Sequence, residues 1–367
     1  YNQRILPLFL PTMGASVYRN VKPRSSYQYL SIATASVVAV SLAVCRMQSR
    51  ISGRFVRASS TSSRKGQRLR LGTRQLAGEL SVYSKGHVVF RCDPDGPLPR
   101  EGKRKYLIFL GGLTDGLMAT NYVGPLAEAC VKLNWTFLQP LTSSSYIGYG
   151  TSCLAGDAQE ISELIRMIRK SENDAEIVMM GHSTGCQDIV TYCKRYHEMK
   201  LSSADGLNLR LNAAILQAPV SDRESMATNE DTKKWFQLAE SMVKEGKKEE
   251  LMPRDSYDVA PITAYRYHSL AGRGTDDDMF SSDLSDEELK RCLGCMDIPT
   301  LLLYSGSDEY VPETVNKEAL VRRMAAAMAT ESVDAQVLSG ADHAGSDPGS
   351  IEKIKEKVIS FLSRNFN

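Results

Sequence analysis

Residues 176–188 read EIVMMGHSTGCQD: one charged residue, four apolar ones, then a run of small and polar residues ending in Cys186, Gln187 and Asp188. A short apolar run without alternation is the pattern of a β-strand buried on both faces. The segment after it, CQDIVTYCKRYH (186–197), has the length and composition of a helix. A strand that turns sharply into a helix while holding one side chain up at the sheet edge needs glycine wherever a Cβ would clash. Gly181-His182-Ser183-Thr184-Gly185 is such a Gly-x-Ser-x-Gly turn, with Ser183 at its apex. The pentapeptide alone is weak evidence, since glycine and serine are common; its place between strand and helix makes it specific.

Working outward, ELSVYSKGHVVFRC (79–92) alternates apolar and polar residues around Lys85–Gly86, which predicts a β-hairpin. Further buried strands are expected at YLIFL (106–110), WTFLQ (135–139), AAILQA (213–218), TLLLYS (300–305) and DAQVLS (334–339). Between them lie stretches with apolar residues spaced by three and four, such as 158–170 and 317–329, and a last one closes the chain at 350–365. Strand and helix in alternation imply a doubly wound α/β fold around a mostly parallel sheet. Residues 222–295 break the alternation with helix-like segments and polar loops. An insertion there sits above the carboxyl ends of the strands, where ligands bind in open α/β sheets, and is read as a cap or lid. The core is then 79–221 with 296–367.

A serine hydroxyl is a poor nucleophile until a base takes its proton, and this fold supplies the partners in the chain order Ser, acid, His. Of the five histidines, His87 lies in the hairpin, His182 in the turn, His197 at the end of the next helix and His268 in the insertion. His343, in LSGADHAGSDPG, follows the last strand and is the candidate base. Asp308, in YSGSDEYVP after the preceding strand, is the candidate acid, with Asp222 as the alternative. The developing oxyanion needs two backbone N–H donors. Thr184 supplies one, and the loop GGLTDG (111–116) the other: Gly112 lets the backbone approach substrate, Leu113 is the expected donor and Thr114 the fallback. In LTSSSYIGYG (141–150), Ser145 and Tyr146 either line the pocket and bind a polar substrate or belong to a loop that satisfies its own backbone.

Several classes fall away. GGLTDG lacks the Lys-Ser/Thr ending of a phosphate-binding P-loop and any dinucleotide spacing. CLGC (292–295) has no matching second pair of ligands for zinc, so no metal or other cofactor is implied. The eight cysteines show no disulfide framework. Net charge is +2, but residues 1–78 hold 13 Lys and Arg and no acid, leaving 32 basic against 43 acidic residues in 79–367. So negative a body disfavours nucleic acid as a partner. The Arg- and Ser-rich, acid-free leader has the composition of a plastid or mitochondrial transit peptide. Its uncharged stretch 29–45 offers a membrane anchor as the alternative, the only membrane contact the sequence suggests; a cytoplasmic protein is the remaining reading.

FLGGLTDGLMATNYVGPLA, SSSYIGYGTSCLAGDAQEI, MMGHSTGCQDIVTY, ILQAPVSDRESM and LLYSGSDEYVP together resemble a family of α/β-hydrolases of fungi and plants, long catalogued as a domain of unknown function. That family includes fungal esterases cleaving fusarinine-type siderophores. The resemblance covers most of 79–365 and implies an α/β-hydrolase fold and a serine esterase acting on a small-molecule ester, with Ser183, Asp308 and His343 as its triad. The leader lies outside it. A silent ligand-binding protein on the same fold, and an amide or thioester hydrolase, stay open as alternatives.

Overall fold

The computed structural model describes residues 76–94, 102–198, 206–257 and 259–366. The leader, with its apolar stretch 29–45, lies outside them apart from residues 76–78. Among the described residues no helix is long and apolar enough to cross a membrane.

Among the described residues the first elements are β1 (Glu79–Ser84) and β2 (His87–Cys92), an antiparallel hairpin whose turn uses Gly86 at φ +98°. There follow β3 (Lys105–Leu110), α1 (Val123–Lys132), β4 (Trp135–Pro140), α2 (Leu154–Ser171), β5 (Glu176–His182), α3 (Gly185–Glu198) and β6 (Ala213–Gln217). An insertion carries α4 (Asp222–Met226), α5 (Thr232–Lys244), α6 (Ala264–Ala271) and α7 (Asp286–Leu293); β7 (Thr300–Ser305), α8 (Lys317–Ala327), β8 (Val333–Leu338) and α9 (Pro348–Asn365) complete the chain. The eight strands form one sheet in the order β1-β2-β4-β3-β5-β6-β7-β8, and β4, β3, β5, β6, β7 and β8 run parallel. The hairpin and all six strands expected from sequence are present, but β8, at the sheet edge, is half-buried rather than buried on both faces.

The pleat explains why those strands read as continuous apolar runs. In β3, Tyr106, Ile108 and Leu110 face a core shared with α2, α3 and α8, while Leu107 and Phe109 face one shared with α1 and α9. β5 repeats the division, with Ile177 and Met179 on the first side and Val178 and Met180 on the second. Helices on both faces leave no solvent side for a polar residue, so alternation disappears from the sequence. Each such side chain, wholly withdrawn from water, contributes about 1.5–3 kcal/mol of transfer free energy.

The insertion divides. Ala239, Met252, Ile262, Ala264, Tyr267 and Leu270 make a separate small core. Phe280, Leu284, Leu289 and Leu293, from the insertion's last third, instead join the core under α2, α3 and α8. Leu113, from the loop after β3, packs against the small core, and Thr263 N donates to Gly150 O at 2.8 Å. The insertion therefore meets the sheet at the carboxyl ends of the strands, where the side chains of interest converge.

Candidate active site

β5 delivers Ser183 as its chain breaks into α3. Ser183 sits at φ +54°, a left-handed conformation that costs a non-glycine residue about 1–3 kcal/mol and that the surroundings must impose. Both flanking glycines are forced by contact. A Cβ on Gly181 would lie 2.3 Å from Gly185 O, and one on Gly185 would lie 2.6 Å from Leu110 O. The amide of Ser183 donates to Gln217 O at 3.0 Å, anchoring the turn to β6.

The loops after β7 and β8 bring the other two groups. Asp308, 4% exposed, accepts from His343 Nδ1 at 2.8 Å, and His343 Nε2 lies 2.8 Å from Ser183 Oγ. A carboxylate on Nδ1 requires that nitrogen to carry the proton, which leaves Nε2 as the acceptor for the serine hydroxyl. The loops are held in place: Tyr310 N donates to Asp308 Oδ1 at 3.0 Å and His343 N to Glu309 Oε2 at 2.9 Å. The Tyr310 ring stands edge-on to the imidazole, centroids 4.7 Å apart. Beyond His343, the Asp347 carboxylate caps α9 by accepting from the amides of Gly349 and Ser350 at 2.9 and 3.1 Å.

The loop after β3 presses against the serine: a Cβ on Gly112 would lie 2.6 Å from Ser183 Cβ. Asp115 fixes this loop, its Oδ2 accepting from Gly112 N at 2.8 Å and its amide donating to Gly112 O at 3.1 Å. Thr114 takes φ +65° to close the turn. The Gly112 amide is thus occupied, whereas the N–H groups of Leu113 and Thr184 have no acceptor among the described residues. Sequence reasoning passed over Asp115, although a carboxylate three residues from a glycine whose amide it could bind is the signal.

Beneath the serine lies a buried polar knot with no local signature in the sequence. His182 Nδ1 donates to Gln217 Oε1 at 2.6 Å, Tyr122 Oη donates to the same oxygen at 2.8 Å, and Gln217 Nε2 reaches His343 O at 3.4 Å. Burial, aided by the neighbouring His343, lowers the His182 pKa to about 3. The ring is therefore neutral, and its 3.9 Å approach to Asp115 Oδ2 is not an ion pair.

A cavity adjoins the loop, bounded by Gly112, Leu113, Ser145, Thr184, Asp188 and Arg266 among others. Ser145 lines it, and its Oγ also accepts from Thr142 N at 3.0 Å. Tyr146 is not in this lining but adjoins it, its amide donating to Asp115 O at 2.9 Å. It is 51% exposed, its ring covers Gly116, where a Cβ would come within 1.9 Å of it, and its φ is +57°. Asp222 Oδ2 accepts from Gln187 Nε2 at 3.1 Å, and Asp308 is the acid against the imidazole. His87 lies by Ser143, His197 by Asp297 and His268 against Phe236, all away from Ser183. Among the described residues no group of three or more His, Cys, Asp or Glu is arranged to hold a metal ion.

With this geometry established, comparisons with known proteins place the chain. A family model described as "Protein of unknown function (DUF1749)" matches residues 71–363. The esterase AN6793 of Emericella nidulans is 33% identical over 341 residues, covering 77% of this chain and 90% of that protein. Fusarinine C esterase sidJ of Aspergillus fumigatus is 30% identical over 343 residues, covering 78% and 96%. Among solved structures, siderophore hydrolase EstB from Aspergillus fumigatus matches with a TM-score of 0.66 at 27% identity, covering 82% of this chain and 99% of that one. An α/β-hydrolase fold protein of unknown function matches at 22% identity with a TM-score of 0.57. The chain has the α/β-hydrolase fold and belongs to the DUF1749 family.

Proposed function

We propose that the protein is a serine hydrolase that cleaves carboxylic esters of small or medium organic molecules through an acyl-enzyme. One observation carries the reading: Ser183 Oγ, the His343 ring and the Asp308 carboxylate stand in a continuous line of 2.8 Å hydrogen bonds, with two uncommitted amides beside the serine. In this reading His343 Nε2 takes the hydroxyl proton as Ser183 Oγ attacks the ester carbonyl carbon. Asp308 keeps the proton on Nδ1 and stabilises the imidazolium that forms. The carbonyl oxygen becomes an oxyanion held by Leu113 N and Thr184 N, which Asp115 and the elbow hold in place before substrate arrives. Collapse expels the alcohol, which takes the proton from Nε2, and water, activated by the same nitrogen, releases the acid. The names of the relatives, two esterases and a siderophore hydrolase, support an ester as the scissile bond.

The test is hydrolysis of a panel of neutral aryl and alkyl esters, with matched thioesters and anilides, by the full chain and by Ser183→Ala. Ester turnover that falls by about 10⁴ or more in the variant, with unchanged circular dichroism, is expected. Turnover undiminished in Ser183→Ala would overturn the assignment, and a marked preference for the anilides would move the chemistry to amides.

A further inference from the structure

The cavity beside the oxyanion loop is walled by three carboxyl groups, Asp115, Asp157 and Asp188, against one cation, Arg266. Asp188, one turn into α3, is 7% exposed, and its Oδ1 has no hydrogen-bond partner. Asp157, near the start of α2, is 1% exposed and takes hydrogen bonds from the amide and hydroxyl of Ser144. Arg266, on α6 of the insertion, is the one cation in the lining, and its charge is already committed: Nη1 donates to the buried Asp277 at 2.6 Å and Nε to Tyr149 O at 3.1 Å. Neither Asp157 nor Asp188 has an ion-pair partner among the described residues. The Arg266 charge acts on both without pairing either, and a buried carboxyl short of counter-charge is costly, so it protonates or takes up a cation. Burial first, and the carboxylate of Asp157 after it, raise the pKa of Asp188 well above the usual range, although Arg266 pulls it down.

A second observation, independent of the acids, marks the cavity as built for a ligand. Thr184, the residue after the nucleophile, lines the same cavity at 6% exposure, and its Oγ1 is a buried hydroxyl oxygen with no partner. Buried hydroxyls are nearly always hydrogen-bonded, so this unpartnered oxygen fits a donor brought by the substrate. The position is telling, because Thr184 and Leu113 also carry the two free amides. A ligand seated here lies against the two residues whose amides face the oxyanion in the serine-esterase reading.

We infer that this cavity is a cation subsite, in which an ammonium group of the ester substrate is held by Asp188 and Asp157 with Thr184 Oγ1 as a third acceptor. The inference rests on the serine-esterase reading and narrows its substrate class to esters that carry a basic amine on the acid or the alcohol portion. Arg266, paired with Asp277, fixes the far wall and, being part of the insertion, makes the subsite depend on the insertion being in place.

The test compares isosteric pairs with the full chain. Aminohexanoate esters with the amine at the chain end are set against heptanoate esters of the same alcohol, and aminohexyl butyrate against heptyl butyrate. Titration with a fluorophosphonate counts active serine in every preparation. In at least one pair the ammonium ester is expected to have the higher kcat/KM by about tenfold or more, the size of one charge-assisted hydrogen bond. Asp188→Asn, and separately Asp157→Asn, should shrink that ratio several-fold, and a ratio is insensitive to how much protein folds. Equal or higher kcat/KM for the neutral ester in both pairs would overturn the subsite and leave the esterase reading intact. Absence of labelling and of any ester turnover would instead strike the esterase reading itself.

Discussion

At the residue scale, Ser183, His343 and Asp308 act as one unit because each fixes the state of the next. Asp308→Asn keeps the shape but offers Nδ1 a donor where it needs an acceptor, which favours the wrong imidazole tautomer. A loss of about 10⁴ in kcat, with folding unchanged, is expected; a loss under tenfold would mean that Asp308 does not govern the tautomer. His182, beside this unit, has another role. Burial holds it neutral with a pKa of about 3, against about 6.5 when unfolded. Between those values the unfolded chain binds the extra proton, so this stabilisation is complete above about pH 6.5 and is lost as pH falls toward 3. His182→Asn removes the titration. Urea unfolding should show a smaller drop in stability from about pH 7 to about pH 4 in the variant than in wild type, and equal drops would contradict the assignment.

At the element scale, the strands were legible because helices bury both faces of the sheet, and the elbow because Gly181 and Gly185 have backbone where a Cβ would go. Ser183, Asp308 and His343 could be found because chain order alone puts each on a loop at one edge of the sheet. Other features left no local trace. Gln217 reads as an ordinary strand end, yet it ties His182, Tyr122 and His343 together. Arg266 looks like a surface residue of a polar insertion until α6 docks it against Asp277 and the 141–150 loop. The helical spacing around 280–293 is the same whether those residues cover a site or pack on the sheet's helices, which is why the main-core role of Phe280 and Leu289 could not be read off. Gly185→Ala tests the elbow. With carbonyl oxygens of Leu110 and Gly111 at 2.6 and 2.7 Å from the new Cβ, it should cost about 1–3 kcal/mol or more in thermal or urea unfolding and displace the loop that carries Leu113. Wild-type stability and activity would show that the close approach is not real.

At the scale of the whole molecule, the leader and the body have opposite charge. The 13 basic residues and absent acids of 1–78 lead us to propose organelle targeting, with the negative hydrolase body as cargo. A fusion of residues 1–78 to a fluorescent protein should enter plastids or mitochondria; diffuse cytoplasmic signal would refute the targeting. The body joins three remote loops and an insertion at one sheet edge, and the whole functional reading depends on the hydroxyl at position 183 being activated there. Mass spectrometry of the intact chain after treatment with a fluorophosphonate at neutral pH tests this most directly. A single covalent adduct mapping to the peptide that contains Ser183 is expected, strongly slowed in His343→Ala; an unmodified protein, or an adduct on any other residue, would refute activation of that hydroxyl.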